Sequence, residues 1–510
     1  MQNLSGGEAT NSSGVHVSQS EPRDAYARST PPKRFKRSRF NAHVTTTDGT
    51  MVLCNTLTGH RCAIPRAGAS LVKQYLSNLA VIEEPLDEVG QYLVAAGYLV
   101  PQDLDEGACF DMAFGFQQYR TDFRYMILVI TNDCNFSCVY CAQKPRSGSM
   151  ESWVQSAIRQ HVAEQTRWWR ALQIAWFGGE PLLAFDVIEN LAPYFRDVTK
   201  KSGTKLSSHI TTNGYLLTPD RSRKLLQWGV TDYQITLDGV GEIHDQMRPL
   251  KDGGGTFSRI MDNLSTMAEY DDDFAVRLRV NFDQHSVHEL SRLFALLKER
   301  LKGDERFRLA FHPVGRWGGP NDLNIDIVDD EKAAYAYKQA LRDDCRKAGL
   351  RYDLSTMFAQ GPSICYAARP YSCVIGTDGT IMKCSNVLER RDENVVGRLL
   401  PDGRMTLDAT KYLKWVGAAY RTPTCMPCFF LPVCNGGFCP LNRIATGSPQ
   451  CPETKTWIQK ALIESWEERR AAGIGTRLSL KRRVPGPRGE DLSKRKEAPQ
   501  DMRTEVPPAV

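Results

Sequence analysis

The stretch MILVITNDCNFSCVYCAQK, residues 126–144, decides how the rest of the chain reads. An apolar run, MILVIT, stops at Asn132-Asp133, and Cys134, Cys138 and Cys141 follow within eight residues. The run has the length and aliphatic content of a buried strand. Asn and Asp compete with the backbone for hydrogen bonds and favour turns, so the thiols fall on a loop at the strand's C-terminal end. The spacing i, i+4, i+7 also describes a helix face with three small thiols on a buried stripe, and the turn residues argue against that. A loop of this length can wrap three thiolates around one metal cluster. A cubane iron–sulfur cluster ordinarily takes four, so three would leave one iron open to a substrate, as catalytic metal sites keep a vacant position.

Working outward, apolar strands alternate with amphipathic helices. YMILVIT (125–131), LQIAWF (172–177), LSSHITT (206–212), DYQITLD (232–238), VRLRVNF (276–282) and FRLAFHP (307–313) make six candidate strands. Segments such as FDVIENLAPYFRDV and FSRIMDNLSTMAEY lie between them. This alternation predicts an α/β fold of parallel βαβ units with functional residues at the strands' C-terminal ends. Six units rather than eight predict an open, partial (β/α)6 TIM-type barrel over 120–320, followed by a helical linker at 321–360. Ahead of it, HVTTT, MVLCN and HRCAI with two helical patterns predict a small α+β module at 42–115. Residues 361–456, rich in Cys, Gly and Pro, predict a loop-rich domain held by metal. A C-terminal helix is expected at 457–474.

The chain has 510 residues, 41% hydrophobic and 24% charged, which is ordinary for a globular protein of two or three domains. Its net charge of +6 is concentrated in KRFKRSR (33–39) and in the tail from KRR (481–483) to KRK (494–496). Their breaker-rich surroundings predict disordered ends at 1–41 and 475–510 and give little support to nucleic-acid binding. No apolar run reaches the roughly 18 residues of a membrane helix. The N-terminus lacks the marks of a secretory signal, and fifteen cysteines then suggest a reducing, cytoplasmic setting where thiols bind metal.

CNFSCVYC resembles the cluster-binding signature of the radical S-adenosylmethionine (SAM) superfamily, including Tyr140 before the last Cys. GGEP (178–181), TTNG (211–214) and TLDG (236–239) stand at the ends of the second, third and fourth candidate strands, and HDQMR (244–248) and the strand RVNFD (279–283) also resemble family segments that border SAM or substrate. The resemblance implies a [4Fe–4S] cluster on Cys134, Cys138 and Cys141 whose open iron chelates SAM. Reductive cleavage would then release a 5′-deoxyadenosyl radical that abstracts hydrogen from an unactivated carbon. It also implies contacts to SAM from Tyr140, from Gly178, Gly179, Glu180 and Pro181, and from Thr236 and Asn281.

Eight more cysteines lie downstream, and TCMPCFFLPVCNGGFCP (424–440) alone carries CxxC and two further thiols. Spacing by itself fits zinc or iron–sulfur sites. The region is similar to the SPASM domain of peptide-modifying radical SAM enzymes, which implies two auxiliary [4Fe–4S] clusters. Carried over, Cys365, Cys373, Cys384 and Cys439 would hold the first, and Cys425, Cys428, Cys434 and Cys451 the second. Four residues separate Cys434 from Cys439 where the family usually has three. Cys54, Cys62, Cys109 and Cys345 read as free thiols.

The expected function is therefore that of a radical SAM/SPASM peptide maturase installing a crosslink or other oxidative change. The expected partners are a precursor peptide or protein and an electron donor such as flavodoxin or ferredoxin. The module at 42–115 resembles a leader-peptide recognition element, which would take the peptide as an added edge strand. Alternatives are an anaerobic sulfatase-maturating enzyme, for which no Asp can be assigned as base, and an iron–sulfur electron carrier without SAM chemistry.

Overall fold

The computed structural model describes residues 34–77, 81–317, 319–352, 364–388, 392–417, 422–437 and 439–471. The expectations for 1–33 and 472–510 lie outside these residues. The N-terminal module is built from two small sheets. Strand β1 (Arg34–Arg37) lies between β5 (Ile82–Glu83) and β6 (Leu99–Pro101), while β2 (Asn41–Thr45), β3 (Met51–Asn55) and β4 (Arg61–Ile64) form an antiparallel meander. The expectation of disorder up to residue 41 is therefore corrected. Within KRFKRSR, Phe35 is buried while Arg34 and Arg37 stay outside. Arg34 pairs with Glu83 at 3.1 Å, and Lys36 caps the carbonyl of Leu104 at 2.8 Å. A period-two strand was hidden in a run of charge.

Strands β7 (Phe123–Thr131), β8 (Ala171–Gly178), β9 (Lys205–Thr212), β10 (Val230–Thr236), β11 (Ala275–Phe282) and β12 (Phe307–Pro313) hydrogen-bond in chain order, all parallel. This is the partial barrel expected from the alternation. Helices 152–165, 185–202, 219–227, 257–268 and 290–300 bury their apolar stripes against its outer face, in one core with Met126, Ile174, Ile210, Ile235, Leu278 and Leu309. Local signals set these helices: Thr218 caps one ahead of Pro219, and Gly203 ends another in the left-handed conformation. The segment expected as a helical linker holds the helix Glu331–Lys347, and β13 (Arg351–Tyr352) then adds a seventh short parallel strand beside β12.

The Cys-rich region is less loop-like than its composition suggests. Strand β14 (Ser372–Ile375) pairs in parallel with β7, and β15 (Thr380–Met382), β16 (Val395–Leu399) and β17 (Met405–Leu407) continue antiparallel, making one sheet of eleven strands. SCVI is a short run of apolar and small residues, buried throughout, too brief to announce itself. The N-terminal module and the last described helix also meet. The helix Ile458–Ala471 places Leu462 against Ala42, Val52 and Cys54, and Thr56 Oγ1 donates to the carbonyl of Phe429. The helix Glu106–Gln118, which extends the module past residue 115, sends Gln118 Nε2 to the carbonyls of Val416 and Ala368 at 2.8 and 3.1 Å.

Candidate active site

At the C-terminal end of β7 the cysteine loop is laid against the end of β8. Thr131 O accepts from Gly179 N–H at 3.0 Å, and Asp133 O from Glu180 N–H at 2.8 Å. Two glycines make this approach feasible. A Cβ on Gly178 would stand 2.1 Å from Thr131 O, and one on Gly179 2.2 Å from Asp133 O. Gly178 also holds φ at +145°, which L side chains rarely adopt. On its other side the loop is stitched to the segment 247–251. Val139 N–H donates to Met247 O at 3.0 Å, Ser137 N–H to Pro249 O at 2.9 Å, and Lys251 N–H to Asn135 O at 3.0 Å. Lys251 Nζ meets Asp133 Oδ1 at 2.6 Å.

Glu180 is fully buried. Its carboxylate accepts from Thr212 Oγ1 at 2.6 Å, Asn213 N–H at 2.7 Å and Leu182 N–H at 2.9 Å. Burial pushes its pKa up, and these donors oppose the shift. The side chain is thereby a brace tying the ends of β8 and β9 together, and it caps the turn Pro181–Ala184. In the GGEP segment it is therefore the backbone of Gly178 and Gly179 that lies against the cysteine loop.

A second buried knot underlies the loop. Tyr140 donates its hydroxyl to Asp238 Oδ2 and accepts from Arg248 Nη1 at 2.6 Å and from Asn281 Nδ2 at 3.0 Å. Asp238 Oδ1 takes Asn281 N–H at 2.7 Å, Asp238 Oδ2 lies 3.8 Å from Arg248, and His244 Nδ1 accepts Asp238 N–H at 3.1 Å. Arg279 Nε completes the set at Asn281 Oδ1, 2.8 Å away. Asn281 thus has both ends of its amide engaged by protein, whereas Thr236 stands half-buried at the end of β10, in register with Arg279. Asp238, His244 and Arg248 were not singled out from sequence, although TLDG and HDQMR contain them.

Burial pushes the thiols of Cys134 and Cys138 up to about 12 and about 11, while Arg248 beside Cys138 acts in the opposite direction. Burial also works against the charge on Arg248, but Cys138, Tyr140 and Asp238 together hold it protonated. Cys138 and Cys141 both act on Cys134, and Cys141 acts on Cys138, so the three share one locality. Soft thiol donors beside a buried guanidinium fit an iron–sulfur cluster, whose thiolates need a compensating charge.

The downstream thiols fall into groups. Cys425, Cys428, Cys434 and Cys451 line one small cavity together with Lys455, whose Nζ lies 3.8 Å from Cys451 Sγ. Cys365 is grouped with Cys384 and Cys439. Cys373, on β14 opposite Met126, has Arg124 and Lys383 as its charged neighbours. The longer Cys434–Cys439 spacer contains three consecutive left-handed residues: Asn435 (φ +52°), Gly436 (+75°) and Gly437 (+109°). This curl turns the N–H groups of Gly436 and Gly437 onto Cys434, opposing the upward push that burial gives its thiol. Among the described residues, no three His, Cys, Asp or Glu side chains are arranged to grip a single metal ion, and no helix is long and apolar enough to cross a membrane.

Residues 128–297 match the family model of the radical SAM superfamily. The chain is 26% identical over 203 residues to Fe-coproporphyrin III synthase of Methanosarcina barkeri, covering 40% of this chain and 47% of that protein. It is 24% identical over 340 residues to a serine-type anaerobic sulfatase-maturating enzyme of Klebsiella aerogenes, covering 64% and 82%. It is 25% identical over 330 residues to mycofactocin maturase MftC of Mycolicibacterium smegmatis, covering 63% and 79%. In architecture it is similar to the structure of native anSMEcpe with bound AdoMet and Cp18Cys peptide. The TM-score is 0.52 at 18% identity, covering 69% of this chain and 99% of that one. The match places a radical SAM domain at residues 128–297, and the likeness to the solved structure is one of fold.

Proposed function

We propose that the protein is a SAM-dependent maturase that modifies a ribosomally made peptide or protein. The observation that carries the reading is the three-thiol loop zipped to Gly178–Gly179 at the C-terminal rim of an open parallel barrel. Cys134, Cys138 and Cys141 would hold the [4Fe–4S] cluster. The backbone of Gly178, Gly179 and Pro181, with Thr236, would border SAM. When bound, the reduced cluster with SAM supplies a radical able to remove hydrogen from an unactivated carbon. The chain's own task is orientation and the exclusion of side reactions. Glu180 keeps the ends of β8 and β9 together, and the Tyr140–Asp238–Arg248–Asn281 knot keeps the loop in place while offsetting thiolate charge.

The two downstream thiol groups would hold auxiliary clusters, with Cys365, Cys384 and Cys439, and Cys373 beside them, in one and Cys425, Cys428, Cys434 and Cys451 in the other. A flavodoxin or ferredoxin would supply electrons. The similarity to a sulfatase-maturating enzyme and to a peptide maturase, each over about two thirds of this chain, supports a polypeptide substrate. In the meander β2–β3–β4, the outer strands β2 and β4 each pair only with β3 among the described strands, and a leader peptide would add as a further strand at one of these edges.

The test is anaerobic reconstitution, reduction and incubation with SAM, followed by mass spectrometry of a candidate peptide co-expressed with the protein. The expected result is 5′-deoxyadenosine together with a mass change in the peptide. A fully loaded protein that releases no 5′-deoxyadenosine overturns the reading.

A further inference from the structure

A buried ammonium or guanidinium is costly unless an opposite charge lies beside it. Lys383, one residue ahead of Cys384, is 1% exposed. Its Nζ donates to the carbonyls of Ser372 at 2.6 Å and Arg369 at 2.7 Å, and Ser372 adjoins Cys373. Two neutral carbonyls hold the ammonium in place without cancelling its charge. Arg124, on β7, lies over the rings of Trp169 and Tyr371, each centroid 5.1 Å away, and its Nε is enclosed without a hydrogen-bond partner. The ionisable neighbours of Lys383 are Cys373, Cys365 and Arg124, and those of Arg124 are Cys373, Tyr371 and Tyr412. Among the described residues no carboxylate joins them. Two enclosed cations therefore face thiols, and an anionic, thiolate-bound cluster fits that imbalance where neutral thiols do not. The second thiol group is placed differently. Cys451 is exposed, and Lys455 beside it is only half-buried, its Nζ 3.8 Å from Cys451 Sγ. Water screens a charge in that position.

Resting on the reading of the downstream thiols as cluster ligands, we propose that Lys383 and Arg124 are the fixed counter-charges of the first auxiliary cluster and make it easier to reduce than the second. A positive charge in a water-poor site stabilises an added electron more than one at the surface, and net charge and exposure both set the potential of a cluster. A guanidinium keeps its proton at any ordinary pH, so the order of the two potentials does not hang on Lys383 alone. Both cations act through the cluster and touch no substrate, which makes them positioning residues. Electrons shared between the two sites would rest on the enclosed one beside β14.

The test uses the full-length chain carrying Cys138→Ala, which leaves only the downstream clusters, reconstituted anaerobically. It is titrated with a chemical reductant while reduced clusters are counted by electron paramagnetic resonance. The expected result is two separate one-electron steps. Lys383→Gln keeps a donor for the carbonyls but no charge. It and Arg124→Gln should each lower the equilibrium constant of the easier step about tenfold, which is 59 mV for one electron, and leave the harder step in place. Arg124→Lys, which keeps the charge, should titrate as the parent does. A merely structural Lys383 would let the Gln variant titrate like the parent, and that result overturns the inference. So do coincident steps in the parent, or a shift of the harder step instead. Arg124→Gln carries the test if Lys383→Gln fails to fold. Iron is measured first: a parent holding much less than about eight atoms per chain, the content of two cubanes, overturns the cluster reading itself, so the two failures are distinguishable.

Discussion

The thiols at the barrel rim and the thiols of the C-terminal region are held in different ways. The rim loop is fastened on both flanks by backbone hydrogen bonds and rests on a buried knot of charged and polar side chains. Apart from Cys373, which stands on β14 of the main sheet, the contrast lies in the thiols of residues 425–439, which sit on or beside short helical turns, Leu431–Cys434 and Pro440–Thr446, and left-handed glycine turns. Their apolar support is borrowed: Phe40, Phe110 and Phe114 of the N-terminal module form one cluster with Ile364 and Leu431, against which Cys425 and Cys428 pack. The difference teaches that the first site is shaped by its own strand ends, whereas the second leans on a distant part of the chain.

The largest expected effect tests the independence of the two regions. Cys138→Ala should abolish SAM cleavage and lower iron by roughly four atoms per chain, the content of one cubane. Iron analysis that shows a loss well beyond one cubane's content would break the contrast. Next, Gly178→Ala forces a Cβ onto Thr131 O and should cost more than about 4 kcal/mol or prevent folding. Gly437→Ala meets Pro449 Cβ at 2.8 Å and should disturb mainly the Cys434 side. Chemical denaturation of both iron-free variants compares them.

Phe110→Ala removes a fully buried ring and should destabilise by about 3–4 kcal/mol. Hydrogen exchange should show the loosening in 422–437 rather than in 132–141. The same contacts mean that deleting residues 1–115 would disturb the C-terminal thiols as well as any peptide-binding edge.

The smallest effect concerns His161, which packs against Trp169 and whose Nδ1 donates to Gly403 O at 3.0 Å. Burial, aided by Arg124, lowers its pKa to about 4, and its Nε2 is buried without a partner. An unfolded His binds a proton below its ordinary value of 6.5 while the folded one does not. Stability is therefore full above that pH and falls as pH drops towards 4, by up to about 3 kcal/mol. Thermal melts of His161→Phe should show a flatter acid limb.

Much of the barrel was legible because its strands and helices carry distinct periods, and the rim loop because thiols beside Asn132-Asp133 admit few readings. Arg34–Arg37 escaped because one buried Phe35 stands among four basic residues. Strand β14 escaped because four residues carry too little pattern. The roles of Glu180 and Asn281 could not be read locally: motif position marked both for cofactor, yet their side chains are engaged by Thr212 and Asn213 in one case and by Tyr140 and Arg279 in the other. Cys373 is a similar case, since spacing sees only the thiol and not Arg124 and Lys383 beside it.

The parallel pairing of β14 with β7 has a practical consequence for anyone engineering this chain. A truncation made at residue 360, to isolate the barrel as a minimal catalyst, would strip the seam from its most apolar strand. The exposed flank of MILVIT would then be a sticky template for other copies, and the fragment should precipitate rather than serve as a simplified enzyme.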